Sequence, residues 1–376
     1  MIYLDNAAST RVCKEAADTA YRVMREGFGN TSSTHVMGRG ASEILETARG
    51  QVAGALGSLT SEIYFTSGGT ESDNLAVFGA VGSKSRPGNH IITSLAEHYG
   101  VLMPVRELEK RGFEVTYLPP EKDGTIAPEA VARALRGDTA LVSVMTVNNE
   151  TGGINPVGEY AAEIKRRGFS ALLHTDAVQS FGKLPQTAKA LGADLISVSA
   201  HKIHGPKGSG ALYIKKGVKI TPMLYGGGHE SDIRPGTHAL PAIAAFGEAA
   251  GLASQNIERN LEYVANLRKY AVSLLQNFGV QIISPGAASP YILSISLPGH
   301  RAETLMNALD GDGICVARSS ACKKGARSHV LEAMGLPRKI IDGALRVSFS
   351  HETTREEIAF FSESLEKIAK TLFRRT

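Results

Sequence analysis

The 376-residue chain has no tryptophan and only three cysteines, Cys13, Cys315 and Cys322, which form no CxxC pair and no Cys/His cluster of zinc-binding spacing. A sparse, odd number of cysteines is typical of a reducing compartment. No apolar run approaches the roughly 20 residues that span a bilayer, and residues 1–5 lack the features of a signal peptide. The net charge of +4 is too small to indicate nucleic acid or an anionic membrane as a partner. The sequence therefore predicts a cytoplasmic protein with no direct nucleic-acid or membrane partner.

Strand-like runs alternate with helix-like segments over the first two thirds of the chain. Most runs are nearly continuous in apolar character, as expected of strands that helices cover on both faces. This alternation predicts an α/β fold with a mostly parallel seven-stranded sheet, in which ligands bind at the carboxyl ends of the strands. The predicted strands are residues 62–66, 90–94, 114–118, 140–146, 171–175, 194–199 and 210–214.

The pattern changes from about residue 240, and a long helix-like region runs through Leu261, Val264, Leu267 and Leu274 to Gly279. Shorter strands are predicted at residues 281–284, 292–297, 314–317 and 345–349, and a last helix at residues 355–373. We interpret this part as a smaller α+β domain. The predicted division is a large domain at residues 12–255 and a small domain made of residues 1–11 and 256–376, although pattern alone does not place the N-terminal segment.

Two residues that directly follow predicted strands indicate a cofactor. Lys202 can reach the ligand crevice, where its amine can condense with an aldehyde, although an isolated lysine of this kind is more often a solvated loop residue. Asp176 can keep a pyridine nitrogen protonated, as pyridoxal 5'-phosphate (PLP) chemistry requires, but alone it is as often a helix N-cap. Gln179 lies one turn onward and can donate to the phenolic oxygen of the ring.

A glycine-containing turn at residues 66–72 joins a strand to a helix. The amide of Gly69 and the hydroxyl of Thr70 can approach a phosphate there, although half of such turns are only tight connections. The turn is neither a Walker A loop nor a GxGxxG motif, which weakens a third alternative, a nucleotide-binding dehydrogenase. His98, after another strand, can stack on a cofactor ring and move protons, and a capping or surface role is its ordinary alternative.

Cys322 is the candidate reactive thiol. It lies among small residues, which favour a mobile loop, and among lysines and arginines, which favour the thiolate. Cys315, flanked by Ile314 and Val316 in a strand-like run, fits a buried structural cysteine far better. Cys13 is interpreted as a packing or surface residue.

Together these motifs resemble the cysteine desulfurases of the NifS/IscS type, which have the type I PLP-dependent transferase fold. The resemblance runs from residues 3–8 almost to the C-terminus, and its most specific matches are residues 66–74, 147–152, 201–208, 226–230 and 319–322. It implies a PLP enzyme that converts L-cysteine to L-alanine and carries the sulfur as a persulfide on Cys322. The sulfur acceptor would be an iron–sulfur scaffold or a tRNA-thiolation enzyme.

The resemblance also implies a role for each matching residue. Lys202 holds the cofactor and acts as a base, and Asp176 and Gln179 contact the cofactor ring. His98 stacks on the ring and is a catalytic acid. The remaining implied roles are phosphate binding by Gly69, Thr70, Ser199, His201 and, in a homodimer, Thr237 of the other subunit, and binding of the substrate carboxylate by Asn149 and Arg346. No metal is implied, except that Cys322 is a candidate ligand of an iron–sulfur cluster.

Some positions depart from the family pattern. Pro235 and Ala96 stand where serine and threonine are more usual, and the segment that begins Lys323-Lys324 is shorter and more basic than usual. This departure leaves the identity of the sulfur acceptor open. The catalytic rate and any preference for selenium are also open. A selenocysteine lyase or another PLP lyase of the same fold is an alternative that does not need Cys322. Another alternative is a catalytically silent docking subunit. The joint presence of a lysine, an aspartate and a cysteine at the motif positions counts against it.

Overall fold

The computed structural model describes residues 1–83, 88–318 and 327–371. Its strands begin with a short N-terminal one, β1 (Ile2–Tyr3). A larger sheet follows, and each of its members overlaps one of the seven strands predicted from apolar runs. These are β2 (Ile63–Thr66), β3 (His90–Ser94), β4 (Glu114–Leu118), β5 (Thr139–Ser143), β6 (Leu172–Asp176), β7 (Leu195–Ser199) and β8 (Gly210–Ile214).

The described strands of this sheet have the order β2-β8-β7-β6-β5-β3-β4. Within that described sheet β8 alone runs in the opposite direction to the other six strands, so the prediction of a mostly parallel sheet is confirmed. The predicted strand at residues 140–146 was too long, since β5 ends at Ser143. The amides of Val144 and Thr146 still donate to carbonyls of β6, which carries the backbone past the end of the strand towards its carboxyl edge.

The continuous apolar runs have a direct structural cause. Leu172 packs into the core on one face of the sheet and Leu173 into the core on the other, and Leu195 and Ile196 divide in the same way. Helices cover both faces, so each strand residue meets apolar neighbours whichever way it points. The helices in the part of the chain that forms this sheet are α1 (Lys14–Glu26), α2 (Val36–Leu56), α3 (Gly69–Val81), α4 (Tyr99–Lys110), α5 (Pro128–Ala134), α6 (Val157–Arg166) and α7 (Ala188–Leu191).

The C-terminal part has its own antiparallel sheet, of described order β12-β13-β10-β9. The segment predicted as one strand at residues 314–317 is two. Ile314 and Cys315 pair in parallel with β1, whereas Ala317 pairs with Arg346 in the second sheet. The strands are β9 (Gln281–Ile282), β10 (Ile292–Ser296), β11 (Ile314–Cys315), β12 (Ala317–Arg318) and β13 (Ala344–Ser348).

The N-terminal segment packs with this C-terminal part, since Leu4 and Ala7 belong to the same apolar core as β10 and β13. The domain boundaries stay a prediction. The long predicted helix is α9, which passes into a 3₁₀ turn and ends at Gly279 in the left-handed conformation, with φ of 84°. The helices here are α8 (Leu240–Gln255), α9 (Ile257–Leu275), α10 (Ala302–Gly311), α11 (His329–Ala333), α12 (Arg338–Asp342) and α13 (Arg355–Thr371). Among the described helices, none is both long and apolar enough to cross a membrane.

Candidate active site

A cavity of about 360 Å³ opens where β6 and β7 end. The structure brings nearly all of the described candidate residues to it. Those that line it are Gly69, Thr70, His98, Asn149, Asp176, Gln179, Ser199, His201, Lys202 and Arg346. Thr237 is exposed and does not line this cavity, and Cys322 lies outside the described residues.

Lys202 ends a 3₁₀ turn, Ala200–Lys202, that follows β7 directly. Its Nζ donates to the carbonyl oxygens of Ala7 at 2.6 Å and Ala8 at 2.9 Å. The amine is thus held in the cavity by the backbone of the N-terminal segment. The reading of Lys202 as a solvated loop lysine is wrong, because the side chain is half-buried and lines the cavity.

Asp176 is the last residue of β6 and is buried. Its Oδ1 accepts from the amide of Val178 at 2.9 Å, and the chain continues as a turn rather than a helix, so Asp176 is not a helix N-cap. Burial raises the pKa of this carboxyl, and His98 and Lys202 oppose the rise. Gln179, in the turn that follows, donates from Nε2 to the carbonyl of Ala7 at 2.9 Å.

A second buried carboxylate, Asp73 on α3, was missed from the sequence. Its Oδ1 lies 3.7 Å from Nε2 of His174 and has no hydrogen-bond partner within the described chain. Ligand atoms of Asp73, His98 and Asp176 lie within 4.8 Å of one another. Burial, and then the nearby Asp176, raise the pKa of Asp73 well above its ordinary value. Two buried acids this close favour a proton or a cationic group between them.

The N-terminus of α3 and the end of β7 form one wall of the cavity. Gly69 begins the helix, and a Cβ there would meet Cγ2 of Val178 at 2.8 Å, so a larger residue would require Val178 to move. Oγ of Ser199 is buried and has no partner among the described residues. A helix N-terminus beside an unpartnered hydroxyl is a favourable place for an anion. His201 lines the same cavity, and burial together with Lys202 lowers its pKa to about 4, so its ring is neutral near pH 7.

His98 is the N-cap of α4, where its Nδ1 accepts from the amide of Gly100 at 3.0 Å. The capping alternative is therefore what the structure shows, and the ring lines the cavity as well. Because Nδ1 accepts, the proton of the neutral ring is on Nε2. Burial lowers the pKa of His98, with a further contribution from Lys202, while Asp176 acts in the opposite direction.

Arg346 lies on β13 and is 3% exposed. Its Nη2 donates to Oδ1 of Asp5 at 2.8 Å and its Nη1 to the carbonyl of Asn149 at 3.0 Å. Its Nε has no partner in the described part of the chain. A guanidinium oriented in this way at a cavity can bind a carboxylate.

Three further residues at the cavity or behind it were not predicted. Glu150 lines the cavity and is buried, and its Oε2 accepts from Oγ of Ser328, six residues beyond Cys322. Burial raises the pKa of Glu150 to about 7, although Ser328 and Arg346 lower it. His329 also lines the cavity, with its Nε2 3.0 Å from the carbonyl of Glu97. Glu97 itself is fully buried, and burial raises its pKa to about 8.

Comparisons with known proteins agree with this geometry. The family profile described as aminotransferase class-V matches residues 2–361. The chain is 40% identical over 376 residues to a protein of Dictyoglomus turgidum named "Cysteine desulfurase IscS", covering 99% of this chain and 95% of that protein. A solved "NifS-like protein" superposes with a TM-score of 0.94 at 39% identity, covering 99% of this chain and all of that one. Another, titled "SspA in complex with cysteine", has a TM-score of 0.83 at 30% identity and covers 94% of this chain and 100% of its own.

Proposed function

The chain belongs to the class-V aminotransferase family, and on that premise we propose that it is a PLP-dependent cysteine desulfurase that converts L-cysteine to L-alanine. The observation that supports this most is that Lys202, Asp176 and Arg346 line one cavity. They supply an amine, a buried carboxylate and a guanidinium, which are the groups that an amino-acid substrate and a PLP cofactor require.

The donor set of the cavity fits PLP. The N-terminus of α3 and the unpartnered Oγ of Ser199 suit the phosphate, with His201 and Thr70 beside them. The buried carboxylate of Asp176 suits a protonated pyridine nitrogen, because a cation there removes the cost of an uncompensated buried charge. Lys202 would hold the aldehyde carbon, and Gln179 would contact the phenolic oxygen.

When bound, the cofactor withdraws electrons from the α-carbon of the substrate, which weakens the C–S bond. The residues of the chain supply the proton transfers. Lys202 would move the proton at the α-carbon, and His98 would donate a proton from Nε2. The carboxyl of Asp73 lies in the same cluster as His98 and Asp176.

Arg346 and Asn149 would bind the substrate carboxylate. Asp5 and the Asn149 carbonyl each occupy one terminal nitrogen of the guanidinium, so its plane is fixed before the substrate arrives. Because the side chain of Arg346 is already oriented, less conformational entropy is lost when the substrate binds.

Cys322 would receive the sulfur. Its thiolate attacks the substrate sulfur, an S–S bond forms as the C–S bond breaks, and a proton replaces sulfur on the carbon. The products are L-alanine and a persulfide on Cys322, so atoms and electrons balance without another oxidant. We further propose a homodimer in which Thr237 of each chain serves the site of the other, a cytoplasmic location, and an iron–sulfur scaffold or tRNA-thiolation enzyme as the acceptor.

The test of cofactor attachment is reduction with borohydride followed by peptide mapping. The holoprotein should lose its yellow colour and carry a pyridoxyl group on Lys202. A pyridoxyl group on another residue, or none, would overturn the proposal.

The test of sulfur transfer is incubation with labelled L-cysteine followed by intact-mass analysis. The protein should gain one labelled sulfur atom per chain and release L-alanine. Cys322→Ser should gain none, while the matched control Cys315→Ser, in β11, should behave as wild type. Sustained sulfur release by Cys322→Ser would instead favour a PLP lyase that needs no acceptor thiol.

A further inference from the structure

Two histidines and a glutamate that are far apart in the sequence lie together behind the active-site lysine. His204 follows Lys202 in the same loop, and His351 and Glu352 follow β13, which carries Arg346. One ligand atom of each of these three residues lies within 4.8 Å of the other two. The two imidazole rings are 4.5 Å apart between centroids.

His204 is oriented by the backbone around it. Its Nδ1 lies 2.9 Å from the carbonyl oxygen of Arg11, so Nδ1 carries the proton and Nε2 keeps its lone pair. The residue has φ of 65°, an uncommon conformation for a non-glycine residue. Its amide donates to Oγ1 of Thr10 at 2.8 Å and its carbonyl accepts from the amide of Cys13 at 2.9 Å, which holds it there. A metal-binding histidine is typically fixed by such a bond to its other nitrogen.

The other two side chains have their ligand atoms available. Over residues 1–83, 88–318 and 327–371, no hydrogen bond or ion pair engages the side chains of His351 or Glu352. Both are exposed, so each can change rotamer at little cost. Tetrahedral zinc with bonds of about 2.0–2.2 Å needs ligand atoms roughly 3.4 Å apart, which such a change can reach from the observed separation.

We propose that His204, His351 and Glu352 bind a zinc ion, with water at the remaining position. Two imidazoles and a carboxylate are a known ligand set for zinc with an open position. The charged groups near it are of both signs. Arg259 and Glu15 line the adjoining cavity of about 200 Å³, and Lys183 and Arg11 act on His204. The positive charges lower the affinity of the site for a zinc ion, and the negative charge of Glu352 partly offsets this effect.

The ion would hold together two segments of the chain, the one that carries Lys202 and the one that carries Arg346. His204 is two residues from Lys202, and His351 is five residues from Arg346. Zinc bound to the folded form alone would stabilise it by mass action. The three ligands lie outside the active-site cavity described above, so a zinc-binding measurement tests this proposal without depending on the proposed reaction.

The test is titration of the full chain, without a histidine tag, in a Cys322→Ser background and saturated with PLP. The serine removes the reactive thiol, and PLP fills the cavity that contains Asp73, His98 and Asp176. Calorimetry with Zn²⁺ should find one ion per chain. Absorption with Co²⁺ should give d–d bands without a thiolate charge-transfer band, as expected for nitrogen and oxygen ligands.

His351→Ala should abolish this binding or weaken Kd at least about 10-fold, and Glu352→Gln should weaken it in the same direction. The matched control is His229→Ala, which removes a histidine from another close pair, with ring centroids 5.1 Å apart. It should bind zinc as wild type does. Unchanged stoichiometry and Kd in both His351→Ala and Glu352→Gln, or a thiolate band with Co²⁺, would overturn the proposal.

Discussion

Glu150→Gln should stabilise the protein at alkaline pH and have little effect at acid pH. Glu150 is 4% exposed, and its carboxyl accepts a hydrogen bond from Ser328. Burial is the largest influence on it and raises its pKa to about 7 from the ordinary 4.5. Glutamine has the shape of the neutral acid and can still accept from the Ser328 hydroxyl, so the substitution removes the charge and little else.

The sign of the effect follows from the direction of the pKa shift. The folded form binds the proton of Glu150 more tightly than the unfolded chain does, so the resulting stability is fully present below about pH 4.5. It is lost as the pH rises through about 7. The shift corresponds to about 3 kcal/mol. A chain of 376 residues, at an unfolding entropy of about 2.1 cal/mol/K per residue, should gain about 4 °C in Tm.

The assay is differential scanning calorimetry of wild type and variant at about pH 5 and pH 8.5. The variant should melt about 4 °C higher at pH 8.5, and the difference should shrink towards zero at pH 5. Glu159→Gln, at an exposed position on α6, is the control and should show no such pH dependence. An equal difference at both pH values, or a variant that is less stable at pH 8.5, would refute the reasoning about burial.

Three other substitutions test the cavity and its supports. Arg346→Lys keeps the charge but loses the planar fork, so KM for cysteine should rise about 10-fold in an alanine-release assay. Ser199→Ala removes a buried hydroxyl that has no partner among the described residues, so Tm of the apoprotein should change by less than about 1 °C. In an absorption titration, Kd for PLP should rise about 5-fold. Glu230→Gln breaks a buried ion pair with Arg49 at 2.8 Å. Burial raises the pKa of Glu230, but Arg49, His238 and the amide of Phe65 outweigh burial and lower the pKa to about 2. Its contribution is present above about pH 4.5 and lost as pH falls through about 2, so the variant should lose about 3 kcal/mol at pH 7 in denaturant unfolding.

Each of these expectations has a contrary result. An unchanged KM in Arg346→Lys would mean that the guanidinium fork does not hold the carboxylate. A large fall in apoprotein Tm with unchanged Kd for PLP in Ser199→Ala would give the hydroxyl a structural role. Wild-type stability of Glu230→Gln at pH 7 would show that the pair with Arg49 adds nothing over its neutral replacement.

The strands of the large sheet could be predicted because each apolar run records burial on two faces. Leu172 and Leu173 are consecutive and belong to different cores on the two faces of the sheet. A short apolar run of this kind is typical of a strand that is buried on both faces. The segment at residues 314–317 was interpreted wrongly for the opposite reason. Its halves pair with β1 and with β13, partners that are distant in the sequence, and nothing in four consecutive residues shows where one pairing ends and the other begins.

The candidate site divides in the same way. Residues at or just beyond the carboxyl ends of strands, such as Asp176 and Lys202, could be predicted because the carboxyl ends of parallel strands meet at one edge. Asp73, Glu97 and Glu150 were missed, although Asp73 and Glu150 lie within matching motifs and Glu97 directly precedes His98. Whether an acid is solvated or buried depends on tertiary packing, and only the structure shows that these three are enclosed.

The short N-terminal segment explains how groups from distant parts of the chain come to act together. The carbonyl of Ala7 accepts from both Lys202 and Gln179, while Asp5 accepts from Arg346 and the amide of Ala7 donates to Oγ of Ser348. The lysine and the arginine are thus positioned by the same four consecutive residues. A peptide backbone has few soft dihedrals, so the spacing between amine and guanidinium is fixed more firmly than two long side chains could fix it. The cavity therefore has its described geometry only when the N-terminal segment is in place, because without it Lys202 loses the carbonyls of Ala7 and Ala8 and Arg346 loses the carboxylate of Asp5.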